Sequence, residues 1–113
     1  MSKKVYISGK ITGLLWDDVV WKFNSAKKSI EKLGWTAVSP LDLVPDPETL
    51  WHHAMKEDIK AMMDCDELVM LHDWQDSKGA LIEKRIAEEL LMPVSYMDNC
   101  FVLFNHPLKH PQP

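Results

Sequence analysis

Glycine is scarce in this chain, with four residues in 113, and none of them is spaced as a phosphate-cradling loop or a GxGxxG fingerprint. ATP and NAD enzymes built on those motifs are therefore excluded. Cysteine is scarcer still. Cys65 and Cys100 lack metal-site spacing and are too few for a disulfide framework, which fits a reducing cytosol. The apolar runs are no longer than strands, so no segment is long enough to span a bilayer, and Lys3-Lys4 lead into a strand rather than the apolar core of a signal peptide. An excess of positive charge is missing too. With 13 Lys and Arg against 17 Asp and Glu, and a formal net charge of -4, the chain has no nucleic-acid surface to offer. What remains is a cytoplasmic chain, 46% hydrophobic, of a size to form one compact domain without disulfides.

Val5-Tyr6-Ile7-Ser8 is a short β-type run closed by Gly9, and Ile11-Thr12-Gly13 continues as a loop. From Trp16 to Leu33 the residues Trp16, Val19, Val20, Phe23, Ile30 and Leu33 recur at helical spacing, with acids in the first turn, lysines near the end and Gly34 as the stop. Residues 35–39 read as a second strand. Pro40, Pro45 and Pro47 then predict an extended loop. A second helix is expected from Glu48 or Thr49 to about Asp64, with Trp51, Met55, Ile59 and Met62 inward. Glu67 to Leu71 is nearly continuous and apolar, as in the centre of a parallel sheet covered on both faces. Ser77 should cap a third helix that ends before Pro93. Residues 94–97 form a fourth strand, residues 101–104 a fifth, and the proline-bearing end a tail. Strands alternating with helices predict an α/β three-layer sandwich with a parallel sheet of four or five strands, flavodoxin- or Rossmann-like. Its ligand crevice lies at the carboxyl ends of the strands, where loops 9–15, 40–48 and 72–79 meet and bring Asp42 among others toward one side.

The third helix holds the most informative residue. Helical spacing aligns Gly79, Glu83, Ile86, Ala87 and Leu90 on one face and leaves Lys84, Arg85, Glu88 and Glu89 on the other. A carboxylate on an apolar face costs several kcal/mol unless it is paired, protonated or opened to a pocket. Helical side chains lean toward the N-terminus, so Glu83 would lean over Gly79, where no side chain blocks a ligand. A salt bridge to a neighbouring helix is the alternative. Asp58 shifts the balance, because it edges the apolar stripe of the second helix. Two inward carboxylates on different helices suit glycosyl chemistry, in which one attacks the anomeric carbon and the other handles the leaving-group proton.

Tyr6 is a core residue whose hydroxyl would reach a neighbouring carboxylate if it sits near the strand end. Ser77 is an N-cap, and with Lys78 and the first-turn N–H groups it can also receive an anion. Lys10 is either solvated or part of the site. Trp74 lies in a loop between acids, where an aromatic has little core to fill and could stack on a base. Trp16 and Trp51 are assigned to core faces. His52-His53 point in different directions on a helix and lack a third ligand, so no metal is expected. Asp64 and Asp66 flank Cys65 as turn residues at the far end of the sheet.

Taken together, Val5-Tyr6-Ile7-Ser8-Gly9-Lys10-Ile11-Thr12-Gly13, Asp58 with Cys65-Asp66, and Ser77-Lys78-Gly79-Ala80 with Glu83 and Ala87 resemble the nucleoside 2-deoxyribosyltransferase superfamily. The likeness to its small bacterial and phage members covers roughly residues 4–97, with 98–113 left as an edge strand and tail. It implies that Glu83 attacks the anomeric carbon to form a glycosyl-enzyme intermediate, that Asp58 assists the departing base and that Tyr6 orients the nucleophile. Ser8, Gly9, Lys10, Trp74, Ser77 and Gly79 would bind substrate. Relatives acting on free nucleosides tend to carry an acid at the position of Ser77, whereas those hydrolysing nucleoside monophosphates carry serine, so the resemblance favours a phosphorylated substrate. Lys10 departs from the proline or serine of many relatives. Asn99 and Asn105 are candidates for the C-terminal residue that family members supply to a partner's site.

The expectation is therefore a cytoplasmic enzyme, without cofactor, that cleaves or transfers the N-glycosidic bond of a 2-deoxynucleoside or its 5'-monophosphate, as a homodimer or homotetramer. A non-catalytic nucleotide-binding module with the same crevice is the rival. A receiver-type signalling domain fits less well, because the first strand ends in Ser8-Gly9 rather than in acids that would hold magnesium.

Overall fold

The computed structural model describes residues 3–104. Five strands and four helices follow one another as β1 (Lys4–Ser8), α1 (Trp16–Glu31), β2 (Thr36–Val38), α2 (Pro40–Leu43), α3 (Trp51–Met63), β3 (Glu67–Met70), α4 (Lys78–Glu89), β4 (Val94–Met97) and β5 (Leu103–Phe104), with a 3-10 turn at Trp74–Asp76. They form a mostly parallel sheet in the order β2-β1-β3-β4-β5. β1 pairs with β2 on one side and with β3 on the other, so the chain reverses its direction of travel across the sheet between them. β5 is antiparallel to β4, which corrects an all-parallel expectation. Its register follows a tight turn in which Asp98 Oδ1 accepts from the N–H groups of Cys100 and Val102 at 2.8 and 3.0 Å. The tail and Asn105 lie outside the described residues.

The alternation of side chains along β1 and β3 divides the core. Val5, Ile7, Val69 and Leu71 pack with Val19, Phe23, Ala26 and Ile30 of α1. Tyr6, Leu68 and Met70, on the other face, pack with Met62 of α3 and with Ala80 and Ala87 of α4. Burial of both faces explains why β3 reads as continuous apolar sequence. Glu67 is the exception, buried where its carboxylate accepts from Lys3 Nζ at 2.8 Å and from Ser95 Oγ at 2.5 Å.

Several local expectations are corrected. Residues 40–43 are helical rather than extended, because Ser39 supplies a capping box: its hydroxyl accepts from Leu41 N–H, and the Asp42 carboxylate accepts from Ser39 N–H, each at 3.1 Å. Pro40 at the first helical position loses no needed donor. Asp42 then pairs with Lys27 at 2.9 Å and leaves the crevice. α3 begins at Trp51, later than expected. Leu33 and Leu90, expected inward, are exposed.

α4 ends before Pro93 acts. The Met92 N–H donates to Ala87 O at 2.8 Å and the Leu91 N–H to Glu88 O at 3.2 Å, a Schellman pattern that forces Leu91 to a φ of 59°. Glycine normally fills that position, since a Cβ costs roughly 1–2 kcal/mol there. Leu91 is 90% exposed and contributes little packing in return. Leu91→Gly should therefore stabilise the protein by about 1 kcal/mol and raise its thermal midpoint by roughly 4 °C. An unchanged or lowered midpoint would mean that this turn carries no strain.

Candidate functional site

A cavity of about 390 Å³ opens at the carboxyl ends of β1 and β3, beside the point where the sheet order reverses. The loop after β1 walls it on one side, the α2 segment and α3 on another, and the first turns of α4 on a third. Seven of the nine site residues expected from sequence line it directly: Tyr6, Ser8, Gly9, Ser77 and Gly79, together with both inward carboxylates, Asp58 and Glu83.

Glu83 is 4% exposed and sits where α4 crosses the end of β1. Ser8 Oγ donates to its Oε1 at 2.5 Å, and the Tyr6 hydroxyl donates to its Oε2 at 3.4 Å. Alternation along β1 would send Tyr6 and Ser8 to the same face, and both reach one carboxylate there. Ser8, expected to touch substrate, thus has Glu83 as its direct partner. Burial pushes the Glu83 carboxyl up to about 8, against the hydrogen bond from Ser8, which favours the charged form. Tyr6 is also lifted well above its ordinary value, by burial first and then by Glu83, so it remains a hydroxyl donor.

Asp58, on α3, is 6% exposed, and its Oδ1 is a buried oxygen without a hydrogen-bond partner among the described residues. Burial, followed by repulsion from Glu57, raises its carboxyl to about 7. An orphaned buried carboxyl oxygen costs about 1–3 kcal/mol or more. A group that supplies or accepts a proton at the cavity would offset that cost. Its charge also raises Glu83.

The α4 N-terminus follows the expected pattern, with Ser77 Oγ accepting from Ala80 N–H at 3.1 Å. Gly79 has a second role. A Cβ there would lie 2.9 Å from Met55 Sδ, so the glycine lets α4 pack against α3 as well as clearing the cavity wall. Gly9 is held as closely, its virtual Cβ 2.8 Å from the Leu71 side chain. A neighbouring cleft shares Ser77, Gly79 and Trp51 with the cavity and adds Lys10 and Lys78, so Lys10 stands at the rim rather than inside.

Trp74 does not line the cavity but packs at 5.7 Å against Tyr96, with Lys84 Nζ 5.3 Å above its ring. The aromatic walls are Trp16 and Trp51, both assigned to core faces by periodicity. Trp51 is 39% exposed, with Lys78 Nζ 4.5 Å over its ring. Its position in the first turn of α3, beyond the stripe that continues through Met55 and Met62, was the available signal. His52 and His53 face solvent, and among the described residues no group of three or more His, Cys, Asp or Glu is placed to hold a metal ion. Asp66 serves the far end of the sheet, where its carboxylate accepts from Lys4 N–H at 2.9 Å.

These features define an α/β domain whose cavity is lined by two buried carboxyl groups. Residues 3–96 match the family described as "Domain of unknown function (DUF4406)", and the chain belongs to that family. No curated protein matches the sequence. Among the described residues no helix is long and apolar enough to cross a membrane.

Both raised carboxyls link stability to pH. In the folded state Glu83 and Asp58 keep protons that the unfolded chain releases near pH 4, so their contribution is full below that pH and is lost as pH rises toward 7–8. Glu83→Gln removes its share of that loss. The variant should gain on the wild type by at least about 2 kcal/mol between pH 5 and pH 8 in denaturant titrations. A difference that stays flat over this range contradicts a desolvated Glu83.

Proposed function

We propose that this protein cleaves or transfers the N-glycosidic bond of a 2-deoxynucleoside or its 5'-monophosphate through a glycosyl ester on Glu83. The observation that carries the proposal is the pairing of unlike carboxyl groups at one cavity. Glu83 receives two hydroxyl donors, whereas Asp58 Oδ1 receives none among the described residues. Burial leaves Glu83 the higher of the two, but positive charge developing at the anomeric carbon would draw the ionised form to Glu83 and leave the proton on Asp58.

In the first step a Glu83 oxygen bonds to C1' of the sugar as the C1'–N bond breaks, and the Asp58 proton passes to the departing base. In the second, Asp58 takes a proton from water, or from the ring nitrogen of another base, as that atom bonds to C1' and Glu83 is released. Tyr6 and Ser8 hold Glu83 and do not exchange protons in either step. No cofactor is required. The sheet order and the two-sided core support reading the fold as a flavodoxin-like three-layer sandwich, whose ligands bind where this cavity lies. We place the protein in the cytoplasm, as a homodimer or homotetramer with a small-molecule substrate, on the basis of sequence character and resemblance.

A nucleotide-binding module without turnover is the second reading. It would use the unpartnered Asp58 oxygen only to hold a ligand, so release of free base by the unmutated protein is what separates the two readings.

A panel of deoxynucleosides and their monophosphates, with chromatography of the released base, tests the proposal. Glu83→Ala should abolish release while the fold persists. Near-normal turnover by that variant would remove Glu83 as nucleophile. With Ser77 capping α4, and Lys78 and Lys10 at the adjoining cleft, the monophosphate should be preferred by at least about tenfold, or roughly 1.4 kcal/mol. Ser77→Asp should reverse that order. A preference of the unmutated protein for the free nucleoside would return Ser77 to the role of a helix cap.

A further inference from the structure

Beside the cavity, but not lining it, lies a buried cation. Lys22 is on the core side of α1, 6% exposed, and its ammonium donates to Asp73 Oδ2 at 2.5 Å and to the Lys10 carbonyl at 2.6 Å. The other Asp73 oxygen, Oδ1, accepts from the Lys10 N–H at 3.0 Å. One ion pair therefore grips residue 10 by both its backbone donor and its backbone acceptor. Burying such a pair costs desolvation that the attraction does not reliably repay, so its stronger use is to fix a geometry.

That geometry concerns the end of β1. The ladder closes at Ser8, whose carbonyl accepts from Leu71 N–H at 2.7 Å. Gly9 then lies against the Leu71 side chain, and the next anchored position is Lys10. Beyond it, Ile11, Thr12, Gly13 and Leu14 wall the cavity. We propose that the Lys22–Asp73 ion pair is a positioning device that pins the 9–14 loop to the turn after β3 and thereby aims the Ser8 hydroxyl at Glu83. Lys22 and Asp73 touch no reacting atom and act through Ser8 alone. Around Glu83 the facing polar groups are Tyr6 and Ser8 from β1 and Asp58 from α3.

The inference rests on the proposed function only for its kinetic readout. Lys22→Met keeps the aliphatic stem and removes the ammonium, Asp73→Asn keeps the shape and removes the charge, and Lys22→Arg restores a cation. Lys3→Met, which breaks the Lys3–Glu67 pair at the opposite end of the sheet, controls for general destabilisation. On the full chain, amide hydrogen exchange at Lys10 and a carbon-13 titration of the Glu83 carboxyl are measured by NMR.

Lys22→Met and Asp73→Asn should speed exchange at Lys10 by at least about tenfold beyond Lys3→Met, with Lys22→Arg intermediate. Both should move the Glu83 titration to higher pH, because a donor that favours the ionised form is lost. Where base release is measurable, kcat should fall by about tenfold with KM within about threefold of wild type. Should the methionine variant fail to fold, the isosteric Asp73→Asn carries the test. Exchange at Lys10 no faster than in the control overturns the proposal, and so does faster exchange with an unmoved Glu83 titration. A wild-type protein without turnover would sink the glycosyl-transfer proposal and still leave exchange and titration to decide this one.

Discussion

The hydrogen bond from Ser8 to Glu83, 2.5 Å long and between two buried side chains, is the contact on which the rest of the site depends. A carboxyl group on the inner face of α4 would be a liability in an ordinary core. It is tolerated here because β1 ends directly beneath it and presents two hydroxyls on one face, from Tyr6 and Ser8. That meeting requires β1 to be central, with its carboxyl end facing the cavity where the order of the sheet reverses. The parallel arrangement thus supplies both the burial and the donors.

From that contact outward, the surrounding packing consists of close approaches that keep space open. Gly79 admits Met55 so that α4 and α3 stand near enough for both carboxyls to line one cavity, and Gly9 lets the first loop lie on Leu71. Asp58 is placed by α3 and left unpartnered at Oδ1 among the described residues. An incompletely satisfied buried acid is a poor structural element and a serviceable proton donor. In the proposed chemistry the inequality between the two carboxyls assigns their roles.

Much of this was legible in the chain itself. Glu83 and Asp58 were visible because each breaks an apolar stripe at helical spacing, and Ser77 because a cap has a local sequence signature. β1, β3 and β4 were visible because short β-rich runs bounded by turn residues have few other uses. Lys22 could have been found by the same logic, as it shares a face with Val19, Phe23 and Ala26, but a lysine near a helix surface is easily taken for solvated. Its partner Asp73 is 51 residues away, a separation that no local pattern encodes. The short α2 was hidden by three prolines, although Ser39-Pro40 with Asp42 is a capping signature. Trp74 misled because a loop tryptophan between acids looks idle, whereas pairing of β4 beside β3 brings Tyr96 against it. Trp51 misled in the opposite direction, since periodicity gives a face and not what that face meets.

The central claim is that Glu83 becomes covalently bonded to the sugar. Mass spectrometry of protein quenched in acid during incubation with a deoxynucleoside 5'-monophosphate tests it most directly. The account predicts a 2-deoxyribose 5-phosphate adduct on the peptide containing Glu83, and none in Glu83→Gln. Steady release of free base with that peptide never modified, under conditions that trap the adduct of a known retaining glycosyl enzyme, would contradict it.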